Sequence, residues 1–136
     1  MKLHHIAILT QDLETSIPFW RDILGLPEKE RKVVHREGVE VAFLAVGDAW
    51  LELVQPIHEE SPVARQVHQP GTKLHHVCLE VENIEQLHIQ LTEAKVQLVQ
   101  DAVQVHEDGT RYFFVHPKST GGVLLEIYET IQPADG

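Results

Sequence analysis

The chain has 136 residues, enough for one domain or two small fused modules, and its 43% hydrophobic and 24% charged residues exclude a disordered polymer. Eleven Lys and Arg against 21 Asp and Glu give a formal charge of −10, which argues against a nucleic-acid partner, and no apolar run approaches the roughly 18–20 residues of a membrane span. The single cysteine, Cys78, excludes an internal disulfide, the start Met1-Lys2-Leu3-His4-His5 lacks the pattern of a secretory signal, and a cytoplasmic protein is expected.

In chain order, a strand is predicted at Ile6–Leu9, then a helix capped by Asp12 with Leu13, Ile17, Trp20 and Leu24 on one face, a kink or tight turn at Pro18, and Gly25 as its C-terminal cap. Strands follow at Arg31–His35, Val39–Val46 and Ala49–Pro56, with turns at Glu37-Gly38 and Gly47-Asp48. Residues 57–73 read as a connecting segment, in which Ser61-Pro62 looks like a cap with proline at the first position of a short helix over Val63–Val67. A strand at Val77–Val81 leads to a helix capped by Asn83 with Ile84, Leu87, Leu91 and Ala94 on one face. Strands at Val96–Gln100, Arg111–His116 and Gly122–Glu129 close the chain, with turns at Asp108-Gly109 and Ser119–Gly122.

The order of elements repeats. Leu3-His4-His5-Ile6-Ala7 recurs as Leu74-His75-His76-Val77-Cys78, and Leu51-Glu52-Leu53 recurs as Leu125-Glu126-Ile127. The second recurrence lies three positions further along than the first. That difference is a three-residue insertion, most naturally within the turn Pro117–Gly122. The expected fold is α+β: a single domain over 1–136 made of two tandem βαβββ modules, 1–56 and 74–132, forming a cupped, mostly antiparallel sheet around a metal site.

Ten histidines are unusual for this length. His35, His58, His68, His88 and His106 stand in polar, turn or helix-surface contexts and read as solvated. The repeated histidines differ. Strand alternation puts His5, Ala7 and Leu9 on one face, and His76, Cys78 and Glu80 on the equivalent face, while His4 and His75 point the other way. Glu52 and Glu126 each interrupt an apolar strand, where a buried carboxylate needs a partner or a metal. Any one of these residues alone reads most simply as an ordinary strand residue. Together, at repeat-equivalent places, His5, Glu52, His76 and Glu126 form a two-imidazole, two-carboxylate set suited to Zn, Co, Ni, Mn or Fe, with Ala7 and Cys78 leaving room beside it.

These residues resemble the vicinal oxygen chelate superfamily, which includes glyoxalase I, extradiol dioxygenases and fosfomycin-resistance proteins, and within it most closely the methylmalonyl-CoA epimerase family. The resemblance runs through Leu3–Ala7, Asp12-Leu13-Glu14, Leu24-Gly25-Leu26, Gly38–Leu44, Gly47-Asp48, Leu51-Glu52-Leu53, Ser61–Ala64, Leu74–Cys78 and, most specifically, Phe114–Glu126 with its His116-Pro117-Lys118-Ser119-Thr120-Gly121-Gly122 run. It implies a cytosolic or matrix-type homodimer that acts on an acyl-CoA and interconverts the C2 epimers of methylmalonyl-CoA. It implies one divalent ion (Co, Zn, Ni or Mn) on His5, Glu52, His76 and Glu126, with the α-proton removed to give an enolate that the ion stabilises. Some family members have Gln at the Glu52 place, and some carry an acid/base Glu where this chain has Val41.

Glu126 is expected to serve as both ligand and base; the second proton carrier is unassigned, with Glu40, Glu37 and a metal-bound water as candidates. The turn with Lys118, Ser119 and Thr120 is expected to hold a phosphate or the substrate carboxylate, with contributions from Arg36, Lys73 and Arg111. The alternatives are a glyoxalase I-like lactoylglutathione lyase, a ring-cleaving dioxygenase, against which a fourth ligand counts, and a metal-free small-molecule-binding protein on the same fold.

Overall fold

Strand alternation and helix caps organise the computed structural model, which describes residues 1–130; residues 131–132 of the expected second module lie outside the described residues. Among the described residues, eight strands and three short α-helices fall into two compact units, one of residues 5–75 and the other of residues 1–4 and 76–130. The first unit holds β1 (Lys2–Leu9, from His5), α1 (Leu13–Ile17), β2 (Glu28–Val34), β3 (Val39–Val46), β4 (Ala49–Pro56) and α2 (Ala64–His68). Its strand order is β2-β3-β4-β1, antiparallel except for β1, which runs parallel to β4. The second unit repeats the scheme with β5 (Leu74–Glu80, from His76), α3 (Ile84–Glu93), β6 (Gln104–Val105), β7 (Arg111–Val115) and β8 (Leu125–Glu129), in the order β5-β8-β7-β6 with β5 parallel to β8. No helix among the described residues is long and apolar enough to cross a membrane.

Each unit closes its own core under its helix. In the first, Leu13 and Ile17 pack on Ala42, Leu44, Leu51 and Leu53, with Ile6, Ile8, Trp20 and Leu26 at the margin. In the second, Ile84 packs on Phe113, Val115 and Ile127, flanked by Leu79, Leu87 and Leu91. The helix starts are built alike. Asp12 accepts from the Glu14 amide at 3.0 Å, and Asn83 from the Gln86 amide at 3.1 Å. The first helical amide in each case donates to a side chain of the closing strand: Leu13 to Gln55 and Ile84 to Glu129, both at 2.8 Å. Arg31 pairs with Glu14 and Glu28, and Arg111 with Glu85 and Glu129. The hydrogen-bonded Arg31 guanidinium holds the Glu28 carboxyl below the usual carboxylate range.

Several sequence expectations are corrected. Proline at position 18 opens a wider π-helical segment, Pro18–Ile23, closed by the Leu24 amide on the Phe19 carbonyl at 3.0 Å. The extra residue per turn rotates Leu24 into solvent and brings Leu26 to the core in its place. Helix α3 stops at Glu93 because Lys95 turns left-handed (φ 63°), so Ala94 is exposed. The stretch 96–100 forms only a bridge, Leu98 with Val115, and the edge strand is β6 instead. Ser61 does not cap α2: its hydroxyl donates to the Glu37 carbonyl at 3.0 Å, and Val63 takes the cap position. The three-residue insertion lies where expected. Phe43 opposes Glu52 and Phe114 opposes Glu126, so the repeat is still in its first spacing at β7 and has lengthened by β8.

The matched caps yield a direct test. Asp12→Ala and Asn83→Ala should each lower the unfolding free energy by about 1 kcal/mol, read as a shift of the urea midpoint at unchanged slope.

Candidate functional site

The face of each sheet turned away from its helix carries the predicted site residues, and register explains how. Ile6 pairs with Leu51 and Ile8 with Leu53 on the helix side, which leaves Ala7 opposite Glu52 on the other. In the second unit Cys78 stands opposite Glu126 in the same way, while Leu79 and Ile127 face the helix. Parallel pairing then sets the histidine two residues earlier beside the acid. Nδ1 of His5 lies 3.1 Å from Oε2 of Glu52, and Nε2 of His76 lies 3.2 Å from Oε1 of Glu126. The four side chains are 8%, 14%, 13% and 8% exposed, in that order, so each carboxylate is taken from water and meets an imidazole there.

Each pair offers a nitrogen and an oxygen of the kind that borderline divalent ions accept. Small residues flank both acids: Ala7 and Cys78 are fully buried, Cys78 as packing rather than as an exposed thiol. An aromatic residue from the next strand stands beyond each acid. Phe43 makes an edge contact with Trp50 at 6.2 Å, and Phe114 one with His76 at 5.6 Å. The His4 ring rests on Tyr128, centroids 4.4 Å apart. Burial pushes the Tyr128 phenol above its ordinary pKa of 10.0, with a hydrogen bond to Thr110 opposing the shift.

Other predicted residues are placed differently. Glu40 is on the face of Ala42 and Leu44, paired with Gln55, and so points away from Glu52. Glu37 is an exposed turn residue. Val41 faces the site side, opposite Lys32 of β2. Arg111 is committed to Glu129 and Glu85 on the helix side, and the Lys73 ammonium donates to the carbonyls of Gln66 and Gln69. In the Pro117–Gly122 loop, Ser119 Oγ accepts from the Gln97 amide at 2.9 Å and the Thr120 hydroxyl binds the Val123 backbone. Lys118 is exposed, its own amide held by Nδ1 of His116 at 3.0 Å.

Two histidines read as solvated are half-buried and packed on aromatic rings. The Nε2 of His88 is buried with its ring against Phe113, at 4.9 Å. His106 stacks on Tyr112 with centroids 3.9 Å apart and 17° between planes, and its Nε2 is 3.9 Å from Oε2 of Glu126. Its sequence context, a turn of charged residues, carried no signal for this. Only the register of β6 against β7 reveals it.

Comparison with known proteins points in one direction. The model of the glyoxalase/bleomycin resistance protein/dioxygenase superfamily matches residues 4–114. The mitochondrial methylmalonyl-CoA epimerase of Homo sapiens is 35% identical over 128 residues, which are 93% of this chain and 72% of that protein. The crystal structure of methylmalonyl-CoA epimerase from Mycobacterium tuberculosis superposes with a TM-score of 0.85 at 28% identity, over 96% of this chain and 89% of that one. A single-residue variant of the Streptomyces coelicolor methylmalonyl-CoA epimerase, in complex with 2-nitronate-propionyl-CoA, gives a TM-score of 0.83 at 25% identity, over 98% of this chain and 99% of that one.

The buried phenol is open to measurement. In an alkaline absorbance titration Tyr128 should ionise later than an ordinary tyrosine, and Tyr128→Phe should remove that late step. Because the folded pKa is the higher one, the stability contributed by the protonated phenol is complete below about pH 10 and is lost as pH rises through the raised value.

Proposed function

The chain belongs to the methylmalonyl-CoA epimerase family of the glyoxalase/bleomycin resistance protein/dioxygenase superfamily, and from that membership we propose that it is an isomerase interconverting the C2 epimers of methylmalonyl-CoA. The observation that carries the reading is the matched pair of buried imidazole–carboxylate contacts, His5 with Glu52 and His76 with Glu126, one in each module. We assign these four residues as the ligands of one divalent ion, of the Co, Zn, Ni or Mn type. The equal registers of the two acids and the chemistry of the donors support that assignment.

Carbon C2 of the substrate lies between a thioester and a carboxylate. A divalent ion, when bound, supplies the positive charge that favours loss of the C2 proton. Glu126 is the carboxylate we assign to take that proton, since it is buried and held at one oxygen by His76. Return of a proton to the opposite face of C2 needs a second group. Val41 has no titratable atom and Glu40 faces the helix, so the chain departs here from relatives with a glutamate on that strand.

For the anionic end of the acyl-CoA we assign Lys118, on a loop whose shape Ser119 and Thr120 maintain through their backbone contacts. The family resemblance also supports a cytosolic or matrix-type homodimer.

Solvent deuterium exchange tests the reaction directly. Protein loaded with Co²⁺ or Zn²⁺ should exchange the C2 proton of methylmalonyl-CoA in D₂O, and Glu126→Gln should slow the exchange by roughly 10²–10⁴-fold. No exchange by the loaded protein would sink the proposal. Turnover of a glutathione hemithioacetal instead would establish the lyase alternative, and failure to take up a stoichiometric ion would favour a metal-free binding protein.

A further inference from the structure

The turn that carries His106 has a counterpart in the first unit. His35-Arg36-Glu37-Gly38 and His106-Glu107-Asp108-Gly109 share the spacing that relates His5 to His76. Both glycines have positive φ, 65° and 87°, and each glycine amide donates to the carbonyl of its histidine, at 3.2 and 2.9 Å. The flanking strands differ in register by one residue. In the first hairpin Lys32 opposes Val41 and Val34 opposes Val39. In the second, Gln104 opposes Tyr112, one residue further along than the repeat predicts, and Val105 opposes Arg111.

A one-residue slip exchanges the two faces of a strand. In the first hairpin Lys32 and Val34 therefore lie on the side of Val41, and His35 falls on the other side, exposed. In the second, Gln104 shares the face of Tyr112, Phe114 and Glu126, and His106, two residues on, follows it there. Tyr112 then gives the imidazole a flat surface to stack on, where the first unit has only Val41.

The result is one carboxylate flanked by two imidazoles: Oε1 of Glu126 faces His76 at 3.2 Å, and Oε2 faces His106 at 3.9 Å. A glutamate has several rotatable bonds, and fixing them costs roughly 1–2 kcal/mol of entropy unless neighbours already hold the group. We propose that His106 is a positioning residue for Glu126: its Nε2–H, fixed by the stack on Tyr112, orients Oε2 and so presents Oε1 beside His76. The inference rests on the assignment of Glu126 as a ligand of a divalent ion. It needs only the N–H donor of the imidazole, not a change in its charge. The separation of 3.9 Å is about 1 Å beyond a hydrogen bond, within reach of a side-chain rotation of Glu126.

Two variants separate the donor from the ring. His106→Phe keeps a flat ring over Tyr112 and removes the nitrogen, whereas His106→Gln restores an N–H donor. The readout is the affinity of the full-length chain for Co²⁺ or Zn²⁺, measured by competition with a chromophoric chelator. Loss of a partner that orients a metal ligand typically weakens binding by about 10–100-fold. His106→Phe should fall in that range, His106→Gln should recover most of the loss, and His35→Phe, in the counterpart turn, should bind as the unaltered protein does. Equal affinity for His106→Phe and the unaltered protein, or equal weakening by Phe and Gln, overturns the positioning role. Glu126→Ala, which removes the donor oxygens, distinguishes that failure from failure of the ligand assignment. If this variant keeps full affinity, the assignment is wrong and the inference falls with it; if it loses affinity while His106→Phe does not, only the positioning role is wrong.

Discussion

The constraint on which the site depends is a glutamate flanked by apolar residues that a short strand turns toward its helix. Leu51 and Leu53 are 5% and 1% exposed beneath α1, so the residue between them has only the opposite face available. Leu125 and Ile127 fix Glu126 in the same manner beneath α3. A carboxylate held in such a place loses water on several sides, a cost of several kcal/mol unless a partner compensates. The parallel neighbour strand supplies that partner, because a histidine two residues ahead of Ala7 or Cys78 reaches the acid across the pairing. The imidazole–carboxylate geometry of each half is thus a by-product of packing the apolar neighbours of its acid.

Much of this was legible in the sequence, for reasons that differ between elements. Alternation located β3 and β4 to the residue, since both faces of these strands meet distinct environments. Asp12 and Asn83 announced their helices because a cap is a local interaction. The recurrence of the His pair and of the strand glutamate located the acids and their partners, and the unequal spacing of the two recurrences located the insertion. Local rules failed where tertiary contacts decide. Whereas the π-helical segment Pro18–Ile23 is a local departure from the helical period, the pairing of Leu98 with Val115 and the diversion of the Ser61 hydroxyl to Glu37 depend on residues distant in the chain. His106 was missed for the same reason: a register shift of one residue leaves no trace in composition.

The duplication shows which features withstand divergence and which do not. The helix-starting amide bonded to a side chain three residues past the acid is present in both units, through Gln55 and Glu129. The arginine that meets the first turn of the helix is also present twice, though from different strands, β2 for Arg31 and β7 for Arg111. By contrast, the outer hairpins have drifted apart: one leaves its histidine in solvent and the other brings it against Tyr112. The shared contacts tie helix to sheet and the altered ones line the opposite face, as expected if folding constrains the former more tightly than chemistry constrains the latter.

The three-residue insertion between β7 and β8 falls in a loop, outside either strand. Within a strand the side-chain period is two, so an odd change in length would send each acid under its helix and its apolar neighbours to the opposite face. The longer connection between β7 and β8 therefore leaves the register of Glu126 intact, and the face that no helix covers keeps its buried small residues, Ala7 and Cys78, beside the acids. In a scaffold divided in this way the helix-side leucines carry the fold, and a loop can grow without moving the acid that follows it.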